Sequence, residues 1–154
     1  MIGNERQSSA GDLPTGKTIL VVKDDEAVGE VMVQALQKET FHQALRVSDG
    51  FQALKTVRGL KPNVFLLDYL IPGMNGITLY DHLHAIKELE DISAIMFSAY
   101  LPHVPANEVQ KRPITFLSKP FKLAEHLQLI EKLIAYATMA LRVLYRVVAE
   151  IVFL

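Results

Sequence analysis

Val64-Phe65-Leu66-Leu67-Asp68, followed by Tyr69-Leu70-Ile71-Pro72-Gly73-Met74-Asn75-Gly76, is the stretch that decides the fold. A short unbroken apolar run bounded by turn-forming residues reads as a strand buried on both faces, the pattern of a parallel sheet covered by helices. Open α/β sheets bind ligands in the crevice outside the carboxyl ends of their strands, and Asp68 stands at such an end. Two other runs follow the same grammar. Ile19-Leu20-Val21-Val22 leads into Lys23-Asp24-Asp25-Glu26, and Ile114-Thr115-Phe116-Leu117-Ser118 leads into Lys119-Pro120-Phe121. Acids after one strand, an Asp after a second and a Lys after a third share one site if those strands are neighbours.

Outward from these runs, the pattern predicts strands near 18–22, 43–47, 63–67, 93–97 and 114–117. It predicts helices near 26–39, 50–59, 76–88 and from 121 onward. Asp49-Gly50 and Lys61-Pro62-Asn63 punctuate the second unit as turns. The alternation argues for a doubly wound five-stranded parallel sheet in the order 2-1-3-4-5. The fourth helix is the weak element, because Pro102, Pro105 and Pro113 leave only Ala106 to Arg112 for a turn or two.

The bulk numbers bound the rest. A chain of 154 residues is one domain with some excess, and its 50% hydrophobic content is ample for a core. The formal net charge of −1 supplies no basic field for nucleic acid. With no cysteine, disulfides, thiolate metal sites and Cys nucleophiles are excluded. Residues 1–16 lack an apolar period and read as a disordered leader, not a signal peptide, so the expected compartment is the cytoplasm. Residues 17–135 form the expected domain, and 136–154 an apolar extension of its last helix.

That extension exceeds what the domain needs. Arg142, Arg146 and Glu150 are spaced four apart and share one helix face, while most of the remaining surface is apolar. Such a helix needs a partner; homodimerisation is the first choice and interfacial membrane contact the other. A transmembrane span is not expected, since the charge-free run Leu133 to Leu141 falls far short of ~20 residues. Arg142 and Arg146 would each add ~2.5–3.5 kcal/mol to insertion at a bilayer centre.

The constellation from about Thr18 to Ala135 resembles the receiver domain of two-component response regulators, single-domain and CheY-like, with a flavodoxin-like fold. The resemblance places the phospho-accepting Asp on Asp68, the loop Pro and Gly on Pro72 and Gly76, and the Mg²⁺-binding acid on Asp24. It places the hydroxyl switch residue on Ser98, the lysine on Lys119, and the aromatic switch on Phe116. The backbone carbonyl of Leu70 would complete the metal set. It implies a phospho-acceptor served by a histidine kinase or phosphotransfer protein. Autophosphorylation and autodephosphorylation would be slow, with no external substrate.

Phosphoryl transfer to a carboxylate needs an exposed nucleophilic oxygen, a divalent cation on the phosphoryl oxygens and a fixed cation opposite. Asp68, Asp24 and Lys119 match those needs, Mg²⁺ being a hard ion that takes one or two carboxylates. Asp24-Asp25-Glu26 also suits a helix start, with Asp24 in the site and Asp25 or Glu26 capping. Phe116 doubles as an ordinary half-buried strand residue.

One position departs from the resemblance. Receivers carry two adjacent acids after the first strand, and in the ungapped register the first of them is Lys23. At an effective dielectric near 20, a unit charge ~4–6 Å away is worth ~3–4 kcal/mol before screening. Lys23 is therefore expected to weaken Mg²⁺ binding, and a stem carrying the ammonium out to solvent is what would spare it. The alternative function is a pseudo-receiver, a phosphorylation-independent interaction or dimerisation module.

Gly11 to Thr18 spells a P-loop, but a polar leader precedes it and a strand follows it, whereas a P-loop opens a helix. A flavin or nucleotide domain lacks its Gly-rich first turn here. His82 and His84 diverge on a helix, and His42, His103 and His126 are isolated, so all five read as packing or surface residues. No helix-turn-helix or basic cluster follows the domain.

Overall fold

The run at Val64 becomes the middle strand of a five-stranded parallel sheet. The computed structural model describes residues 16–40, 42–98, 105–118, 131–132 and 134. In chain order the strands are β1 (Thr18–Val22), β2 (Gln43–Val47) and β3 (Val64–Asp68). A two-residue pair, β4 (Leu70–Ile71) and β5 (Met74–Asn75), precedes β6 (Ser93–Ser98) and β7 (Ile114–Ser118). The sheet order is β2-β1-β3-β6-β7, which is the expected 2-1-3-4-5 order once the small antiparallel pair is set aside. That pair is an addition to the expected elements. Pro72 and Gly73 turn between its strands, and Gly73 has φ +84°, a conformation that glycine adopts at no steric cost.

Alternate residues of each buried strand serve opposite faces. Leu20, Val22, Phe65, Leu67 and Met96 join Ala53, Leu79 and Leu83 in one core cluster. Ile19, Val21, Leu66, Ile95 and Phe97 join Met32, Leu36 and Ile134 in the other. Every residue of β3 is buried, as its unbroken apolar pattern demands.

The helices start where short polar side chains can cap them. Asp25 accepts from the Val28 amide at 3.0 Å and opens α1 (Glu26–Glu39). Asp49 accepts from Gln52 N at 2.8 Å and opens α2 (Gly50–Thr56), while Asn75 accepts from Thr78 N at 2.8 Å and opens α3 (Gly76–His84). Capping of the first helix therefore falls to Asp25, with Glu26 as its first-turn acid. α4 (Ala106–Gln110) is as short as its prolines require.

Two helices end earlier than the periodicity suggests. α2 stops at Thr56, and the chain tightens into turns with Arg58 and Gly59 donating three residues back. α3 stops at His84 because Ile86 takes an extended backbone (ψ 119°) before a 3-10 turn over Lys87–Leu89. The break brings both Ile86 and Leu89 against the core.

Glu131, Lys132 and Ile134 are helical, and Ile134 is buried. The expected extension over 136–154 and its assembly face lie outside the described residues, as does the leader to residue 15. Among the described residues no helix is long and apolar enough to cross a membrane. Lys17 and Thr18 lead into a strand, so the P-loop spelling has no helix to open.

The described histidines have structural partners. His42 Nδ1 accepts from Lys17 N at 3.0 Å, and its Nε2 stands 3.1 Å from a Glu131 carboxylate oxygen. His84 stacks on Tyr80 with ring centroids 3.8 Å apart. Its nitrogens stand 2.9 Å from the Tyr80 carbonyl oxygen and 2.7 Å from that of Ile92, tying α3 to the entry of β6. His82 is exposed; His103 and His126 lie outside the described residues.

Candidate functional site

The site lies at the carboxyl ends of β1, β3 and β6. Strand β3 delivers Asp68 in register with Phe97 of β6, and the Tyr69 amide donates to the Phe97 carbonyl at 2.8 Å. Ser98 ends β6 one residue further on and is 4% exposed. Its register partner on β7 is Ser118, directly before Lys119. Lys119 itself lies outside the described residues. Phe116 pairs with Met96 and packs half-buried against the first core cluster, the placement of an ordinary strand residue and of the expected switch alike.

Gly76 sets how closely α3 can approach. A Cβ there would stand 2.6 Å from the Asp68 carbonyl oxygen and 3.1 Å from Tyr69 Cα, both backbone atoms that cannot swing aside. The Gly76 amide donates to the Tyr69 carbonyl at 2.8 Å, closing the loop that contains Leu70 and Pro72. Asp24 is exposed at the end of β1, and Leu70 is exposed beyond β3.

Lys23 decides the electrostatics. Its Nζ donates to Asp68 Oδ2 at 2.9 Å, and the two residues are only 8% and 5% exposed. The stem does not carry the ammonium out to solvent. The Asp68 carboxylate is therefore covered, where an exposed oxygen was expected.

The Lys23 backbone is fastened on both sides. Its amide donates to the Val47 carbonyl at 3.0 Å, and its carbonyl accepts from Arg46 Nη1 at 2.8 Å. Arg46 reaches across from β2, with Nε 3.6 Å from Glu30 Oε1. It passes over Gly29 of α1, where a Cβ would stand 2.2 Å from Arg46 Cδ. Sequence reasoning missed Arg46. Its available signals were an arginine in a strand beside Leu45 and Val47 and a glycine in mid-helix, which marks close approach.

The fit of a divalent cation can be judged from these side chains. Asp24, Asp68 and the Leu70 carbonyl are the expected donors. A fixed ammonium already holds one Asp68 oxygen, and two carboxylates with one ammonium leave little net negative charge to hold Mg²⁺. Among the described residues there is no group of three or more His, Asp or Glu side chains placed to hold a metal. The arrangement as it stands does not fit Mg²⁺.

On the flank toward α4, Arg112 makes a forked contact with Asp81 of α3 at 2.7 Å on each carboxylate oxygen. It also donates to Glu108 Oε2 at 2.6 Å. The hydrogen bond from Arg112 holds the Asp81 carboxyl below its ordinary value, and the same bond pushes the guanidinium up.

A parallel sheet of this order, with a buried Asp at the end of its central strand, is the flavodoxin-like architecture of a receiver domain. The chain belongs to the response regulator receiver domain family of two-component systems, whose family model matches residues 19–131. It is 35% identical over 108 residues to the DNA-binding response regulator MtrA of Mycobacterium tuberculosis, covering 70% of this chain and 46% of that protein. The chain thus spans about half the length of the curated relatives it matches. A putative response regulator from Chloroflexus aurantiacus J-10-fl superposes with a TM-score of 0.68 at 23% identity, covering 78% of this chain and 98% of that one. Response regulator protein TrrA from Thermotoga maritima, solved in complex with Mg²⁺–BeF, superposes at 0.66 with 25% identity, covering 76% and 98%.

Proposed function

We propose that this chain accepts a phosphoryl group on Asp68 from a phosphohistidine of a histidine kinase or phosphotransfer protein. The observation that carries the reading is the Asp68 carboxylate held at the end of the central strand beside Ser98. In the transfer, one Asp68 oxygen attacks phosphorus in line; the P–N bond breaks as the P–O bond forms, and imidazole leaves with the electron pair. Lys119 would pair with a phosphoryl oxygen and the Ser98 hydroxyl with another, letting Phe116 repack. The Lys23 ammonium is close enough to offset part of the added charge. Self-catalysed phosphorylation from small donors and dephosphorylation would be slow, so the protein is not an enzyme toward an external substrate.

Signalling would run through protein contacts in the cytoplasm, with the apolar pattern of 136–154 supporting a homodimer through the C-terminal helix. Sedimentation of the full chain beside one ending at Ala135 tests this; equal behaviour as monomers would remove it. For the central reading, Asp68→Asn should abolish acid-labile labelling by acetyl phosphate and by a phosphorylated kinase while the fold persists. Unchanged labelling of that variant would sink the assignment. The Lys23–Asp68 ion pair favours a second reading, the phosphorylation-independent pseudo-receiver, for which the wild-type chain would take no label at all.

A further inference from the structure

We infer that Lys23 is the site's own cation, taking the place of a divalent metal at Asp68. The inference rests on Asp68 being the functional carboxylate, and it concerns how that carboxylate is charge-balanced. Three observations converge on it. The ammonium is 2.9 Å from Asp68 Oδ2 with both side chains almost fully buried. The Lys23 backbone cannot drift, since Val47 holds its amide and Arg46 its carbonyl. Gly29 leaves the space through which Arg46 makes that contact. β2 thus fixes the backbone from which the side chain reaches the carboxylate, and Lys23 is not a surface lysine that has fallen inward.

The electrostatic consequence is direct. A divalent ion at Asp68 would meet the fixed positive charge of an almost fully buried ammonium, which solvent screens little. It would also have to displace a charge-assisted hydrogen bond. The ammonium supplies a positive charge to the buried Asp68 carboxylate, and its protons remain donors to any phosphoryl-like oxygen bound there. Divalent cations are therefore dispensable to this site and are repelled from it.

The test is a Mg²⁺ titration of the full chain, followed by the backbone amide resonances of Asp24, Asp68 and Tyr69, for wild type, Lys23→Asp and Lys23→Met. Mn²⁺ broadening of the same resonances serves as a second readout. Lys23→Asp should bind Mg²⁺ about a hundredfold more tightly than wild type, with Lys23→Met between them. Lys23→Met keeps the apolar stem and so covers the case in which a buried aspartate prevents folding. Wild type binding Mg²⁺ as tightly as Lys23→Asp would overturn the inference, and so would three chains that all fail to bind.

Acetyl phosphate labelling of wild type in Mg²⁺ and in EDTA separates this inference from the reading beneath it. Equal labelling in both supports the built-in cation. Labelling that requires Mg²⁺ overturns it. No labelling in either, with the titrations as expected, counts against phosphoryl acceptance and leaves metal exclusion standing.

Discussion

Arg112, at the entry to β7, grips the Asp81 carboxylate of α3 through both of its oxygens at 2.7 Å, across 31 residues of sequence. The fourth helix is only five residues long, so it has little packing of its own to hold it. A planar guanidinium matched to a carboxylate adds direction as well as charge. The contact with Glu108 extends the grip into α4 itself.

Replacing Arg112 should loosen that corner. Asp81 is half exposed, at 50%, so the fork is discounted for solvent to about 1 kcal/mol. Arg112→Ala is expected to lower the unfolding free energy from urea melts by that amount, and hydrogen exchange in residues 106–112 should quicken more than in β3. Arg112→Lys should recover less than half of the loss, because an ammonium cannot fork.

The same pair gives a pH dependence. Arg112 depresses the Asp81 carboxyl below 3.8, so its stabilising contribution is complete above that value and is lost as pH falls through the lowered folded one. The difference in stability between wild type and Arg112→Ala should be constant from neutral pH down to about pH 4 and shrink below it. A difference that stayed level into strong acid would show that the pair is not its origin.

The Lys23–Asp68 pair should respond asymmetrically to its two truncations. Lys23→Met takes a charged donor from a short carboxylate that cannot relocate, at a cost of about 1.5–3 kcal/mol. Asp68→Asn leaves a lysine whose long stem can carry the charge outward, at a cost under about 1 kcal/mol. Denaturant melts of the two variants compare them directly, and equal losses would argue that the lysine is as confined as the aspartate.

Gly76 and Gly59 make a matched test of close approach. A Cβ at Gly76 meets the backbone of Asp68 and Tyr69, whereas one at Gly59 meets nothing within 4 Å. Gly76→Ala should cost about 1–3 kcal/mol and move the Asp68 resonances. Gly59→Ala, at ordinary negative φ, should stabilise by about 0.4–1 kcal/mol.

Asp25 is the cap of α1 and stands outside the ion pair. Asp25→Ala should lower stability by about 1 kcal/mol without altering any response of the site to cations. A change in cation response comparable to that of Lys23 variants would mean that Asp25 shares the site.

Local pattern was enough for much of this molecule. The apolar runs at Ile19 and Val64 and the turn residues that bound them point to strands buried on both faces. Asp25, Asp49 and Asn75 announce helix starts through groups within three residues of one another. The position of Asp68 past its strand is equally local. The early end of α3 was not legible, since it goes with packing of Ile86 and Leu89 against side chains distant in sequence.

Tertiary structure alone decided where the Lys23 ammonium goes. Its four-carbon stem reaches either solvent or the interior, and the sequence shows only that a positive charge follows Val22. The answer depends on Asp68, 45 residues away, and on Arg46 and Val47 of a third strand, which hold the Lys23 backbone. Local pattern thus determined the sheet and the carboxylate. Which cation meets that carboxylate was settled by strands that become neighbours only on folding.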